Sequence, residues 1–99
     1  MPTSAEPASA AAIRHEPEAS RFVLDVDGAR AVLEYRHGEG GSLDLYHTFV
    51  PRALRGGGLA SRLAAYALDY ARDHGHKVVP SCPFVAAYIE RHPEYRALL

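Results

Sequence analysis

The sequence contains one cysteine, Cys82, no tryptophan and no long apolar run. A single cysteine excludes an internal disulfide and a metal cluster built from several thiolates, and no histidine spacing predicts a metal site. No stretch approaches the roughly 18 consecutive apolar residues that predict a transmembrane helix. The formal net charge of −1 provides no general attraction to nucleic acid or to a membrane surface. These absences predict a small cytoplasmic domain without nucleic-acid or membrane partners.

The first part of the chain, residues 1–20, is rich in Ala, Pro and Ser. Ile13 is its only large aliphatic residue besides Met1, so the segment has little apolar surface to bury against a core. It also lacks the apolar stretch of a secretory signal. We therefore predict a disordered tail over residues 1–20 and one folded domain over residues 21–99, as a monomer or a weak homo-oligomer.

Alternating apolar residues predict three strands in the first half of this domain. Two of them, Arg21–Val26 and Ala31–Tyr35, flank Asp27-Gly28, a dipeptide that favours a two-residue hairpin turn. The third strand is predicted over Ser42–Val50. Strict alternation would put one set of its side chains on the apolar face, Leu43, Leu45, His47 and Phe49, and the other on the opposite face, Asp44, Tyr46, Thr48 and Val50.

Two helices are predicted in the second half. Leu59–His74 repeats apolar residues at helical spacing and is followed by a glycine. A proline suits the first turn of a second helix, Phe84–Arg91, which makes Cys82 its N-cap. Between them, Lys77–Ser81 is a short strand that should run parallel to the third strand, because a helix separates the two. The order β-β-β-α-β-α predicts an α/β (α+β) domain, an open mixed sheet with helices packed on it.

The Gly-rich turn between the third strand and the first helix has the features of a phosphate site. Gly56–Gly58 allow backbone N–H groups to point the same way and a ligand to approach the main chain. The first turn of the helix adds unpaired N–H donors and the positive end of its dipole. Three glycines would also serve simply to join a strand to a helix. The strand–turn–helix context and the nearby Arg52, Arg55 and Arg62 favour a bound ligand.

Cys82 is the leading candidate for chemistry. A helix N-terminus favours the thiolate, and the carboxyl ends of parallel strands are where open α/β sheets bind ligands. A buried cysteine that acts as a small hydrophobe is an equally weighted alternative. His47 could reach the same crevice as a base or an orienting group, although a core histidine is the more common role. Tyr88 could present its hydroxyl to Cys82 as a proton donor, although its spacing from Phe84 is usual for packing.

Several of these segments together resemble the GNAT acetyltransferases. The run Arg55-Gly56-Gly57-Gly58-Leu59-Ala60 resembles their motif A, Arg-x-x-Gly-x-Ala. Asp44–Pro51, Pro80–Cys82 and Arg91–Tyr95 are similar to segments of the short GNAT-like proteins. The likeness covers about residues 21–98, nearly all of the foldable chain.

The resemblance implies a minimal GNAT-like fold, acetyl-CoA as the cofactor and an amine as the acceptor. It implies that Cys82 is an active-site residue at the mouth of a crevice between splayed parallel strands. The chain lacks the amino-terminal helices that form the acceptor pocket of larger members, and Tyr88 falls about one position away from their tyrosine proton donor. By the resemblance, the pyrophosphate and pantetheine would be held by Phe49, Val50, Arg55, Gly56, Gly57, Gly58, Leu59 and Ala60.

Three functions are open at this point. The leading hypothesis is acetyl transfer from acetyl-CoA to an amine on a protein or small molecule, either directly or through an acetylated Cys82. The second is a CoA-binding or interaction module with little catalysis, motivated by the missing acceptor region. The third is a cysteine hydrolase that uses Cys82 and His47; it ranks last because it leaves the Gly-rich turn unexplained.

Overall fold

A computed structural model describes residues 12–99, which form one mixed sheet with both helices packed against it. In chain order the elements are β1 (Ile13–Glu16), β2 (Arg21–Val26), β3 (Ala29–His37), β4 (Leu43–Phe49), α1 (Leu59–Asp73), β5 (Val78–Val79) and α2 (Pro83–Arg91). A 3-10 helix, Pro93–Leu98, follows α2. The strands lie in the sheet in the order β1-β2-β3-β4-β5. This arrangement confirms the predicted fold class.

β1 lies inside the segment that was predicted to be disordered. For residues 13–16 that prediction was wrong, and the earlier part of the segment lies outside the described residues. β1 pairs antiparallel with β2 along its whole length. Ion pairs add to this pairing: Arg14 Nη1 lies 3.0 Å from Asp25 Oδ2, and Arg21 Nε lies 2.7 Å from Glu16 Oε1. An edge strand with one aliphatic residue is possible here because its inner backbone edge pairs with β2, its charged side chains pair with Asp25 and Arg21, and His15 hydrogen-bonds to Tyr35 on β3.

The hairpin between β2 and β3 closes as Asp27-Gly28 predicted. Both residues have positive φ, 51° and 82°, as a type I′ turn requires. The register places Phe22 opposite Leu33 and brings the apolar side chains of the two strands to the same face. That face carries the core.

The core joins the sheet to both helices on this one face. Full burial of a large aliphatic or aromatic side chain contributes about 1.5–3 kcal/mol to stability. The buried side chains on one face of each helix therefore supply much of the free energy that holds the helices against the sheet. The buried core positions on α1 and α2 are Leu59, Leu63, Ala67, Leu68, Ala71, Val85 and Ile89. The opposite face of the sheet carries the ion pairs of β1, β2 and β3.

β4 departs from regular alternation at Tyr46. The register with β3 shifts by one residue there and leaves Tyr46 as an extra residue, a β-bulge. An extra residue turns every later side chain to the other face. Leu45 before the bulge is buried, whereas beyond it His47 and Phe49 are exposed and Thr48 is partly buried. The prediction that His47 and Phe49 share a face with Leu45 was therefore wrong.

β4 and β5 form the predicted parallel pair, but only over two residues of each strand. Leu43 lies opposite Val78 and Asp44 opposite Val79. One further bond, from the Cys82 N–H to the Leu45 carbonyl at 2.9 Å, closes the contact between the two chain segments. Beyond Leu45, the edge of β4 that faces β5 has no strand partner within residues 12–99. The two parallel strands therefore splay apart toward the carboxyl end of β4.

Candidate functional site

The Gly-rich turn after β4 forms one wall of an open cavity of about 220 Å³. The cavity lies between this turn, the first turn of α1 and the start of α2. Six of the eight predicted cofactor-binding residues line it, Val50, Arg55, Gly56, Gly58, Leu59 and Ala60, together with Leu54, Ser61 and Phe84. Gly57 belongs to the same turn without lining the cavity, and the Phe49 side chain is 46% exposed on the opposite face of the sheet.

Two glycines give this wall its shape. Gly56 and Gly58 have φ of 88° and 77°, a conformation that residues with a side chain rarely adopt. A Cβ atom built on either would meet no atom within 4 Å, so neither glycine is needed to relieve crowding inside the protein. Their role is to bend the backbone and to leave it bare on the open side.

The start of α1 adds hydrogen-bond donors to the same wall. The first amide to donate into the helix is that of Arg62, to the Gly58 carbonyl at 3.1 Å, and no side chain caps the helix. The amides of Leu59, Ala60 and Ser61 precede that bond and have no acceptor within the helix. Three such donors and the positive end of the helix dipole favour an anion at this position.

Arg55 stabilises the turn as well as lining the cavity. Its Nε donates to the Val50 carbonyl at 3.0 Å, which closes the loop between the end of β4 and the glycines. A guanidinium group has five N–H donors, so the outer nitrogens are left to act at the exposed surface. The positive charge therefore lies at the rim of the cavity, beside the helix amides.

Cys82 lies where β4 and β5 splay apart. It is the N-cap of α2, as Pro83 at the first helical position predicted, and its carbonyl accepts from the Ala86 N–H at 3.1 Å. The residue is only 6% exposed. Its Sγ lies 3.4 Å from Thr48 Oγ1, within hydrogen-bond distance for sulfur. The structure thus brings together a nearly buried thiol and a hydroxyl at the edge of the crevice.

Comparisons with known proteins bear on this geometry. The family model for GCN5-related N-acetyl-transferases matches residues 21–98. This chain belongs to the GCN5-related N-acetyltransferase family. Protein NATD1 of Xenopus tropicalis is 33% identical over 92 residues, with 91% of this chain and 84% of the relative covered. Protein NATD1 of Mus musculus is 32% identical over 94 residues, with 93% of this chain and 86% of the relative covered.

A solved structure agrees with the family membership. A GCN5-like protein from Staphylococcus aureus, determined by NMR in solution, superposes with a TM-score of 0.69 at 25% sequence identity. The superposition covers 88% of this chain and 85% of that protein. The sheet and helices described above are therefore those of a GCN5-related fold.

In this GCN5-related domain, Thr48 takes the position that the sequence suggested for His47. Alternation alone placed Thr48 on the wrong face, because the bulge at Tyr46 was not foreseen. The polar run Tyr46-His47-Thr48, which interrupts the apolar alternation of Leu43 and Leu45, was the available signal that the strand changes character there. His47 lies opposite Glu34 on the exposed face. The structure does not bring His47 to Cys82, so the cysteine–histidine pair of a hydrolase is not formed.

Tyr88 lies further along α2 than its proposed role requires. Its ring stacks on His92 at 4.0 Å between centroids and lies 6.1 Å from the ring of Tyr95. Burial, followed by the negative charges of Asp69 and Glu94, raises the pKa of the Tyr88 hydroxyl. No hydrogen bond joins Tyr88 to Cys82 in the described part of the chain. These neighbours belong to the contact between α2 and the C-terminal 3-10 helix.

Residues 12–99 contain neither a metal-binding cluster nor a helix that could span a membrane. No group of three or more His, Cys, Asp or Glu side chains between residues 12 and 99 is arranged to hold a metal ion. Neither helix in that range has the length and apolar character needed to cross a bilayer.

Proposed function

We propose that this chain is an acetyl-CoA-dependent N-acetyltransferase that holds the cofactor against its Gly-rich turn and uses Cys82 in the transfer. The observation that carries the proposal is the cavity at residues 55–60, where bare glycine backbone and unpaired helix amides face the same space. Membership of the GCN5-related family supports it. The acceptor would be an amine on a protein or a small molecule.

The residues present fit the pyrophosphate of the cofactor. The amides of Leu59, Ala60 and Ser61 would donate to phosphate oxygens, and the Arg55 guanidinium would balance their charge. No side chain stands in the way at Gly56 or Gly58. The apolar walls of the cavity, Val50, Leu54 and Phe84, would suit the less polar part of the same molecule. Bound acetyl-CoA would supply an acetyl group activated as a thioester.

The crevice between β4 and β5 would orient the reacting groups. Beyond Leu45 the edge of β4 has no strand partner among the described residues, so its amides are available to orient and polarise an acyl carbonyl. As the amine nitrogen bonds to the acyl carbon and the C–S bond breaks, Cys82 would transfer the proton on Sγ to the departing CoA thiolate, and the proton that the amine loses would restore the thiol. Its 6% exposure favours this role over attack by the sulfur on an acyl group, which needs more access.

A CoA-binding module with little catalysis is the second candidate. The cavity lining contains no Asp or Glu side chain, so nothing in it would attract the ammonium group of an acceptor. In that case the turn would bind the cofactor, while Cys82 would be a buried structural residue.

Calorimetric titration of CoA into the protein tests the binding step. Gly58→Ala adds a methyl group on the bare wall, and Gly75→Ala is the matched control, because Gly75 has a similar φ of 75° and no atom within 4 Å of its Cβ position. Both variants carry similar backbone strain, of about 1–2 kcal/mol. We expect Gly58→Ala to weaken CoA binding at least about tenfold, with Gly75→Ala within about twofold of the wild type.

Turnover with Cys82→Ala then separates the two candidate functions. A transferase should bind CoA normally in this variant but lose about a hundredfold or more in acetylation of a panel of amines, followed by mass spectrometry. Wild-type binding without acetylation of any amine or protein pool would favour the module. Full turnover by the variant would remove Cys82 from the mechanism, and a wild type that does not bind CoA would overturn the proposal itself.

A further inference from the structure

We propose that Thr48 is a positioning residue for Cys82, and that its hydroxyl donates a hydrogen bond to Sγ when the sulfur is ionised. The inference rests on the proposed function, in which Cys82 gives up its proton during transfer. A donor to the sulfur stabilises the state that remains after that proton has left. It would equally stabilise a nucleophilic sulfur, so the role of Thr48 is the same in either version of the chemistry.

The direction of the Thr48 side chain follows from the bulge. Thr48 lies opposite Leu33, which is fully buried on the core face of β3. If Tyr46 were paired as a regular strand residue and not bulged, strict alternation would turn His47 inward and Thr48 outward. On the outer side, the Arg36 guanidinium lies 4.5 Å from the centre of the Tyr46 ring, and its Nε pairs with Asp44 Oδ2 at 3.0 Å. These contacts hold the bulged residue outward while Thr48 faces Cys82.

Thr48 is the side chain that the structure places within hydrogen-bond distance of this sulfur, and either atom can be the donor. The Cys82 side chain makes no capping hydrogen bond to the amides that open α2, so the helix acts on it only through the field of its dipole. The hydrogen bond found at Sγ in residues 12–99 is the one with Thr48 Oγ1. No Lys, Arg, His, Asp or Glu side chain in that range hydrogen-bonds to Cys82. A hydroxyl can accept from a thiol and donate to a thiolate, so the pair suits both states of the sulfur.

Carbon-13 NMR of protein labelled at cysteine Cβ tests the proposal. The chain has one cysteine, so one signal reports the ionisation of Cys82 alone. Thr48→Val keeps the shape and removes the hydroxyl, whereas Thr48→Ser keeps the hydroxyl. Ser42→Ala is the matched control, because it removes another buried hydroxyl immediately before β4. The midpoint of the signal's pH titration should rise by about one pH unit in Thr48→Val, and should stay near the wild-type value in Thr48→Ser and Ser42→Ala.

Several results would overturn the role of Thr48. These are an unchanged or lowered midpoint in Thr48→Val, a Thr48→Ser midpoint as high as that of Thr48→Val, or a wild-type signal that does not titrate below about pH 10. Thr48→Ala replaces Thr48→Val if the valine variant does not fold. A purely structural threonine would change the melting temperature without moving the midpoint.

The titration also separates this inference from the proposed function, since it is made on the protein without cofactor. An unchanged midpoint beside normal acetyl transfer would remove Thr48 and leave the transferase. Absent CoA binding beside a shifted midpoint would remove the transferase and leave the hydrogen bond. If the protein is a transferase and Thr48 also stabilises the ionised sulfur, Thr48→Val should lower kcat with little change in the KM for acetyl-CoA. Its pH–rate profile should then shift in the same direction as the NMR midpoint.

Discussion

Tyr95 joins the C-terminal 3-10 helix to α1 through one hydrogen bond. Its hydroxyl donates to Asp69 Oδ1 at 2.7 Å, and the residue is 7% exposed. Burial and, after it, the bond to Asp69 raise the pKa of the Tyr95 hydroxyl. Both causes favour the neutral phenol. The hydroxyl therefore donates throughout the neutral range and holds the end of the chain against the helix.

Replacing Tyr95 with Phe should lower the free energy of unfolding by about 1 kcal/mol, because one hydrogen bond is lost while the half-exposed Asp69 can be hydrated. Tyr66→Phe is the control, since Tyr66 is 40% exposed and packs on Phe22 mainly through its ring. Urea denaturation monitored by circular dichroism measures both variants. The difference between Tyr95→Phe and wild type should shrink above about pH 10, where the unfolded phenol ionises. An equal loss of unfolding free energy in the two variants would show that the Tyr95–Asp69 hydrogen bond adds nothing to stability.

At the scale of single residues, the sequence was most informative where a local signal specifies the backbone. Pro83 and the end of a short strand were enough to predict Cys82 as a helix N-cap, and Asp27-Gly28 was enough to predict a hairpin. Thr48 could not be found in this way. Its direction depends on pairing between β3 and β4 around Tyr46, which is a tertiary property that no short window contains. The proposed chemistry therefore involves Cys82, whose position could be predicted from the sequence, and Thr48, whose position could not.

Among the elements, β1 is held by an aromatic contact in addition to its strand pairing. The His15 ring stacks on Phe22 at 4.5 Å between centroids and meets Tyr70 edge-on, also at 4.5 Å. Its Nε2 lies 2.7 Å from the Tyr35 hydroxyl in a hydrogen bond. The histidine therefore bridges the edge strand, the next two strands and α1.

Acid should weaken the attachment of β1. Burial lowers the pKa of His15, and the nearby His74 lowers it further against an opposing effect of Glu18. The folded protein therefore disfavours the charged imidazole. The stability that His15 contributes is fully present above the unfolded pKa of about 6.5 and is lost as pH falls through the lower folded pKa.

Thermal unfolding at pH 7.5 and 5.5 measures this loss, with amide hydrogen exchange of residues 13–16 as the local readout. We expect His15→Phe to show a smaller fall in melting temperature between the two pH values than the wild type, because it keeps the stacking and removes the titrating group. His47→Gln, at an exposed position of β4, should retain the wild-type fall. The same pH dependence in all three proteins would show that His15 does not couple β1 to pH.

Elements whose apolar residues recur at a regular spacing were predicted close to their observed limits, whereas the edge strand β1 was missed. β2 and the two helices repeat apolar residues at the spacing of their structure, so burial on one face specifies them. β1 has only Ile13 as an aliphatic residue, and it is held by its pairing with β2 and by His15, whose ring contacts Phe22, Tyr35 and Tyr70. Local composition carries no record of such partners. For the same reason a low apolar content was mistaken for disorder.

For the whole molecule, the placement of β1 decides where the folding unit begins. The family model starts at residue 21, and the sequence suggested the same boundary, yet β1 completes the sheet before that residue. β1 pairs with the edge of β2, and His15 lies on the buried ring of Phe22. Loss of β1 would expose both a strand edge and part of the core. Exposed strand edges promote association between chains.

Two truncations test this boundary. Removing residues 1–11 leaves β1 whole and provides the reference, while removing residues 1–20 also takes away β1. We expect the longer truncation to lower the free energy of unfolding by about 2–4 kcal/mol relative to the shorter one, since Ile13 and His15 are part of what covers the core. It should also associate as concentration rises, which light scattering after size-exclusion chromatography would detect. If both truncated chains unfold at the same urea concentration and stay monomeric, the domain begins at residue 21 and β1 is an accessory strand. A loss confined to the longer truncation would instead show that the folding unit includes β1 and begins before residue 21.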